Sequence, residues 1–155
     1  AVAAALPQGG TVAMLVWGDP SLYDSSLRIA ARLDWRARVI PGITAIQALC
    51  AAHAIPLNAL GSEVRITTGR RLRDAGFPGD SDRVVVMLDG TCAFATLPPQ
   101  GLRIWWGAYL GMPEQLLEAG PLTEAGPRIE AARAAARAAH DWIMDCYLLA
   151  RDDAA

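Results

Sequence analysis

Short runs of consecutive apolar residues alternate along this chain with stretches whose apolar positions recur every three or four residues. The runs predict strands and the stretches predict helices, an alternation that argues for an α/β fold. Val12 to Trp17 is the first run, and it predicts a buried strand that enters Gly18-Asp19-Pro20. A helix is expected to follow through Leu22, Leu27, Ile29, Ala30 and Leu33, capped by Ser21. Arg36 to Ile40 predicts a second strand, closed by Pro41-Gly42, and Thr44 to His53 predicts a second helix. Strand, helix and strand at this length form a parallel crossover unit. Ahead of it, Val2 to Leu6 reads as the tail of an earlier helix that ends in a Pro/Gly turn.

Ile55-Pro56-Leu57-Asn58 interrupts the pattern and marks the expected boundary between two parts, 1–57 and 58–155. Beyond it, Glu63 to Thr68 predicts a strand, and Arg70 to Asp82 a short helix or loop. Arg83 to Leu88 predicts a strand buried on both faces, and Gly101 to Leu110 a third strand of this part. Pro113 to Ala119 reads as a short helix. A long last helix opens at Gly126-Pro127, with Ile129, Ala132, Ala136, His140, Ile143 and Tyr147 on its apolar face. Arg133, Arg137, Asp141 and Asp145 recur four apart on its polar side, with Arg137 and Asp141 as the favourable pair.

Composition removes several classes of function. The chain has 155 residues, of which 53% are hydrophobic, so it is not a disordered segment. No apolar run approaches the ~20 residues of a membrane-spanning helix, and a cytoplasmic protein is expected. A formal charge of -2 gives no electrostatic case for nucleic acid. All 14 basic residues are Arg, which excludes a Schiff-base or phosphate-loop lysine and leaves bidentate binding of carboxylates open. Cys50, Cys92 and Cys146 are scattered, without the spacing of a disulfide framework or a zinc site. His53 and His140 also lack ligand spacing, and no metal is expected.

Two turns carry the candidate chemistry. Gly18-Asp19-Pro20-Ser21 and Pro41-Gly42-Ile43-Thr44-Ala45 each follow a predicted strand and open a predicted helix. In a parallel unit both fall on one sheet edge, where open α/β folds bind their ligands. Each also serves simply as a good turn into a helix.

GDPSLYDS followed by VIPGITA resembles the motifs GDPxxYG and PGITS or PGITA of the tetrapyrrole methylase family. ITTGRRL is similar to that family's TGHR segment, VVVML to its buried second-lobe strand, and EAGPL to its late Gly-x-Leu element. WGDPSLYDS, WWGAYLGMPEQLLEAGPL and AARAAARAAHDWIMDCYLL resemble one branch of it, which methylates C-1 of precorrin-5 and releases acetate. Asp24 stands where most members have Gly, in keeping with that branch.

The resemblance implies a two-lobed α/β fold, represented here by the end of the N-terminal lobe and the C-terminal lobe. It implies S-adenosyl-L-methionine as cofactor, a small-molecule tetrapyrrole, precorrin-5, as substrate, and a homodimer. Trp105, Trp106 and Tyr109 on one predicted strand are compatible with a dimer. Carried over position by position, the cofactor-binding residues are Trp17, Gly18, Asp19, Leu22, Thr44, Ala45, Met87 and Tyr109 or Leu110. Core packing is the alternative for Leu22, Met87 and Leu110, and bonding to backbone N–H groups the alternative for Asp19. Arg70 and Arg71 are candidates to meet substrate carboxylates or to form a solvated surface. No residue is identified as the base that deacetylation requires.

The family's opening strand and GxGPGD loop have no counterpart here. An N-terminal portion is therefore expected to be missing, and the chain on its own is expected to be inactive. Two other readings stay open: the same fold acting on another precorrin, a diphthine or a ribosomal RNA substrate, and a non-catalytic α/β interaction module.

Overall fold

The computed structural model describes residues 10–33 and 35–152; the expected helix tail at Val2 to Leu6 lies outside them. The chain divides between Thr44 and Ala45 into two compact units. Among the described residues the first unit holds one helix, α1 (Ser26–Arg32). The second begins with α2 (Ala45–His53) and continues β1 (Val64–Thr68), α3 (Gly69–Ala75), β2 (Arg83–Met87) and β3 (Leu102–Ala108). It ends with β4 (Leu116–Pro121), α4 (Leu122–His140) and β5 (Asp145–Arg151). The 55–58 break thus lies inside the second unit, because α2 packs on β3 and β5.

The five strands form one sheet in the order β1-β2-β5-β3-β4. β1 and β2 are parallel, while β5 is antiparallel to both of its neighbours, β2 and β3. β1, β2 and β3 therefore run in one direction and end on one edge. The register places Thr68, Met87, Cys146 and Gly107 in a single row across that edge. Paired residues share a face and neighbours alternate. One face carries Val84, Val86, Ile104, Trp106, Tyr147 and Leu149 into the main core with Ile129 and Ala136 of α4. The other meets α2 through the fully buried Leu49. A Cβ on Gly107 would lie 3.0 Å from Leu49 Cδ1, so glycine sets how closely helix and strand approach.

Several expectations are corrected. Val12 to Trp17 and Arg36 to Ile40 belong to no strand, and they are not buried: Leu15 is 98% exposed and Ile40 78%. A strand's backbone groups need a neighbouring ladder, and among the described residues every strand pairing lies in the second unit. The first helix starts at Ser26, not near Leu22, because Tyr23 takes a left-handed φ of 51°. Asp24 Oδ1, rather than Ser21, accepts from the new N-terminus at Ser26 N, 2.6 Å away.

Pro113 to Ala119 is not a helix, since Leu116 onward pairs with β3, Leu116 opposite Ala108. The last helix opens at Leu122, with Pro127 inside it, and ends at His140, where Asp141 has a φ of 58°. The chain then returns as β5, inserted between β2 and β3, where two-sided burial outweighs the helical spacing of Ile143 and Tyr147.

Candidate functional site

In the first unit a single carboxylate joins the two turns. Asp19 Oδ1 accepts from Ser21 N at 2.8 Å and from Ser21 Oγ at 2.5 Å. Asp19 Oδ2 accepts from Gly42 N at 2.9 Å, across 23 residues of chain. These bonds, the Ser21 hydroxyl first and the Gly42 N–H next, hold the carboxyl below its ordinary range. A Cβ on Gly42 would lie 2.1 Å from Gly18 O, so the second turn can approach the first only as glycine. Of the two roles expected for Asp19, the geometry supplies the bond to backbone N–H groups. Trp17 is exposed, and Leu22 and Thr44 are half-buried.

In the second unit the row through Cys146 gathers three more of the expected residues on the α2 side of the sheet. Ala45, the first residue of α2, accepts from Cys146 Sγ at 3.7 Å through its carbonyl. Met87 is the register partner of Cys146 on one side and Gly107 on the other. Leu110 folds back over Gly107, where its Cδ2 would lie 2.7 Å from an added Cβ. Ala45, Met87 and Leu110 are each half-buried at the strand ends, a small apolar ledge. Burial pushes the Cys146 thiol up to about 12, so it is an inert neutral neighbour of that ledge.

Tyr109 is different. It is buried, its hydroxyl donates to Trp142 O at 2.5 Å, and its ring packs edge-on against Trp142 and His140. Its N–H donates to Met144 O and its carbonyl accepts from Met112 N, both at 2.9 Å. Arg70 and Arg71 lie exposed on the first turn of α3, where Thr68 Oγ1 accepts from Arg71 N. His53 Nε2 bonds to Trp106 O at 2.9 Å, a structural contact.

A buried polar network beneath the edge was not foreseen. Arg133 Nε meets Asp145 Oδ2 at 2.9 Å, with both side chains under a tenth exposed. Arg133 Nη2 and Nη1 donate to Asp89 O at 2.6 Å and Gly90 O at 3.3 Å. Asp145 also accepts from Trp106 Nε1 at 2.8 Å. The Asp89 carboxylate accepts from Thr91 N, from Ala93 N and from Tyr147 Oη. Burial, and then the bond to Asp89, raise the Tyr147 phenol. For Arg133 burial acts to lower the value, but the Asp145 hydrogen bond and charge outweigh it and the guanidinium is raised. The helical spacing had set Arg133 and Asp145 on a solvent face, and only the turn at Asp141 brings them together.

Among the described residues no group of three or more His, Cys, Asp or Glu could hold a metal ion. No described helix is long and apolar enough to cross a membrane.

Residues 1–126 match the family described as Tetrapyrrole (Corrin/Porphyrin) Methylases. The chain is 52% identical over 150 residues to Precorrin-6A synthase [deacetylating] of Sinorhizobium sp, covering 93% of this chain and 57% of that protein. Over 84 residues it is 37% identical to the cobalamin biosynthesis protein CobIJ of Mycobacterium tuberculosis (strain CDC 1551 / Oshkosh), covering 48% of this chain and 16% of that protein. Among solved structures, a cobalamin synthesis related protein (CobF) from Corynebacterium diphtheriae matches with a TM-score of 0.80 and 44% identity. That match covers 88% of this chain and 60% of the other. Uroporphyrin-III C-methyl transferase from Thermus thermophilus, complexed with S-adenyl homocysteine, shares the fold at a TM-score of 0.54 and 15% identity, over 86% of this chain and 62% of that one. The chain thus spans less than two thirds of the precorrin-6A synthase and of the CobF structure that it matches. With the family match running through four fifths of its residues, this chain belongs to the tetrapyrrole (corrin/porphyrin) methylases.

Proposed function

We propose that this chain belongs to an S-adenosyl-L-methionine-dependent C-methyltransferase of cobalamin biosynthesis, a precorrin-6A synthase. It would methylate C-1 of precorrin-5 with release of acetate. The observation that carries the reading is the convergence of Ala45, Met87 and Leu110 around the Cys146 row, at the strand ends of the second unit. The relative named for this reaction, alike through almost the whole chain, supports the choice of substrate.

The donor set fits the cofactor: half-buried apolar side chains suit a nucleoside and thioether. The cofactor would supply a methyl group on a sulfonium, already a good leaving group. What these residues can add is placement, because holding reactants aligned in a water-poor setting removes much of the barrier. Ala45, Met87 and Leu110 would bind from the second unit. Trp17, Gly18, Leu22 and Thr44 would bind from the first, with Asp19 shaping the turns rather than touching charge. Between Tyr109 and Leu110 the reading favours Leu110, since both main-chain groups of Tyr109 are already bonded. Arg70 and Arg71, both exposed, would meet the carboxylates of the tetrapyrrole.

The reading keeps lobes at 1–57 and 58–155, with Arg83 Nη1 donating to Pro56 O at 2.9 Å at the join. It also keeps a cytoplasmic homodimer that binds neither nucleic acid nor membrane. Trp106 and Tyr109 are buried in the core, so the dimer rests on the family likeness and not on that strand.

Calorimetric titration of the folded protein with S-adenosylhomocysteine tests the cofactor, and precorrin-5 with S-adenosyl-L-methionine tests the reaction. We expect binding, a Kd about tenfold weaker for Asp19→Ala, and acetate in step with methyl transfer wherever methyl transfer occurs. No binding to the folded protein would sink the reading; methyl transfer without acetate would move it to another substrate.

A further inference from the structure

We propose that Leu88 is an additional ligand-contacting residue of this edge, which lays its exposed side chain against the apolar part of a bound S-adenosyl group. The inference rests on the cofactor reading above. Leu88 follows Met87 directly at the end of β2, is 65% exposed and has a φ of 53°. Left-handed backbone is unfavourable for leucine, whose Cβ crowds the following carbonyl, and glycine would adopt it freely.

Among the described residues, every other non-glycine residue of the second unit with a left-handed φ has a structural account. Ala54 follows the last residue of α2, and Asp141 closes α4 as its C-cap. Cys92 packs against the main core. Tyr109 leaves β3 in the same way that Leu88 leaves β2, but its ring and hydroxyl are buried in contacts that offset the strain. Leu88 has no such burial.

Its conformation is imposed from beneath. Asp89 is fixed through its carbonyl by Arg133 and through its carboxylate by Thr91, Ala93 and Tyr147. Gly69 leaves the space this carboxylate occupies, since a Cβ there would lie 2.3 Å from Asp89 Cγ. Backbone strain of this kind persists where the surroundings over-determine it, and it concentrates at ligand sites. A large apolar side chain, held outward beside Met87 at an energetic cost, is explained by what it touches when the edge is filled.

The test titrates the full chain with S-adenosylhomocysteine and records its melting temperature, for wild type and for Leu88→Gly, Leu88→Asn and Leu88→Met. Glycine and asparagine both accept the left-handed backbone, so the first two variants are expected to melt no lower than wild type. They are expected to bind roughly tenfold more weakly, while Leu88→Met stays near wild type. Binding by both Leu88→Gly and Leu88→Asn within twofold of wild type overturns the inference alone. Absence of binding by wild type overturns the cofactor reading, and this inference with it.

Discussion

Residues 10–44 and 45–152 each contain residues of the expected cofactor-binding set, yet the two are ordered by different physics. In the first unit, among the described residues, only Ala30 is buried, while Leu15, Trp17, Ile40 and Ile43 are all more than 70% exposed. Its two turns are joined by one partly exposed carboxylate that accepts three hydrogen bonds. In the second unit the ledge of Ala45, Met87 and Leu110 sits on a sheet with a continuous core, above a buried network of charged and polar groups. Stability is not uniform along a chain, and a region with few buried apolar contacts opens at lower free energy than a core strand. Residues of the second unit should answer to packing, and those of the first to titration.

The hardest test of this contrast is Arg133→Met. Removing the guanidinium leaves the buried Asp145 carboxylate without its cationic partner, though Trp106 Nε1 still donates to it, and strips donors from Asp89 O and Gly90 O. Breaking a buried pair from one side typically costs about 3–5 kcal/mol. Urea denaturation should show that loss, and hydrogen exchange should place it in β2, β3 and β5. Loss of protection to the same degree in α1 would break the contrast, because it would show that both units unfold as one.

Two glycines sharpen the contrast at smaller scale. Gly69→Ala drives a Cβ to 2.3 Å from Asp89 Cγ, and Gly42→Ala drives one to 2.1 Å from Gly18 O. Overpacking of a close contact costs about 1–3 kcal/mol. Gly69→Ala should therefore lower the urea midpoint of the sheet. Gly42→Ala should leave that midpoint unchanged and remove exchange protection from the amide at position 42. Equal effects of the two on the sheet would mean that the turns draw on the core after all.

The same division decides what could be read from sequence. RVVVM and LRIWWGA declare buried strands because the local run itself demands two-sided cover, and α2 declares its buried face through Ile46 and Leu49. β5 was hidden because its apolar residues continue the spacing of the helix before it. Only insertion between β2 and β3 makes Cys146 to Ala150 a strand. Val12 to Trp17 misled in the opposite sense: its apolarity asks for cover, but pairing depends on a neighbour that no local pattern names. At the site, Gly18-Asp19-Pro20 and Pro41-Gly42 were legible as turns from their residue types. The single carboxylate that joins them was not, nor was the Arg133 to Asp145 pair, since both depend on chain returns.

The smallest effect is also the one most particular to the first unit. Asp19 is held below its ordinary pKa, chiefly by the Ser21 hydroxyl and then by the Gly42 and Ser21 N–H groups. A carboxyl whose folded value lies below its unfolded one adds stability that is present above the unfolded value of about 3.9. That contribution is lost as pH falls through the folded value. Protonation leaves a poorer acceptor for Gly42 N–H, so the tie between the turns should loosen only below about pH 4. The Gly42 amide resonance, followed by NMR from pH 6 downward, should shift in that window. In Asp19→Asn the shift should vanish, because the amide does not titrate, and the exchange protection of β2, β3 and β5 at neutral pH should stay as in wild type. A Gly42 shift that survives Asp19→Asn would assign the titration to another group. The carboxylate would then lose its place as the joint of the two turns.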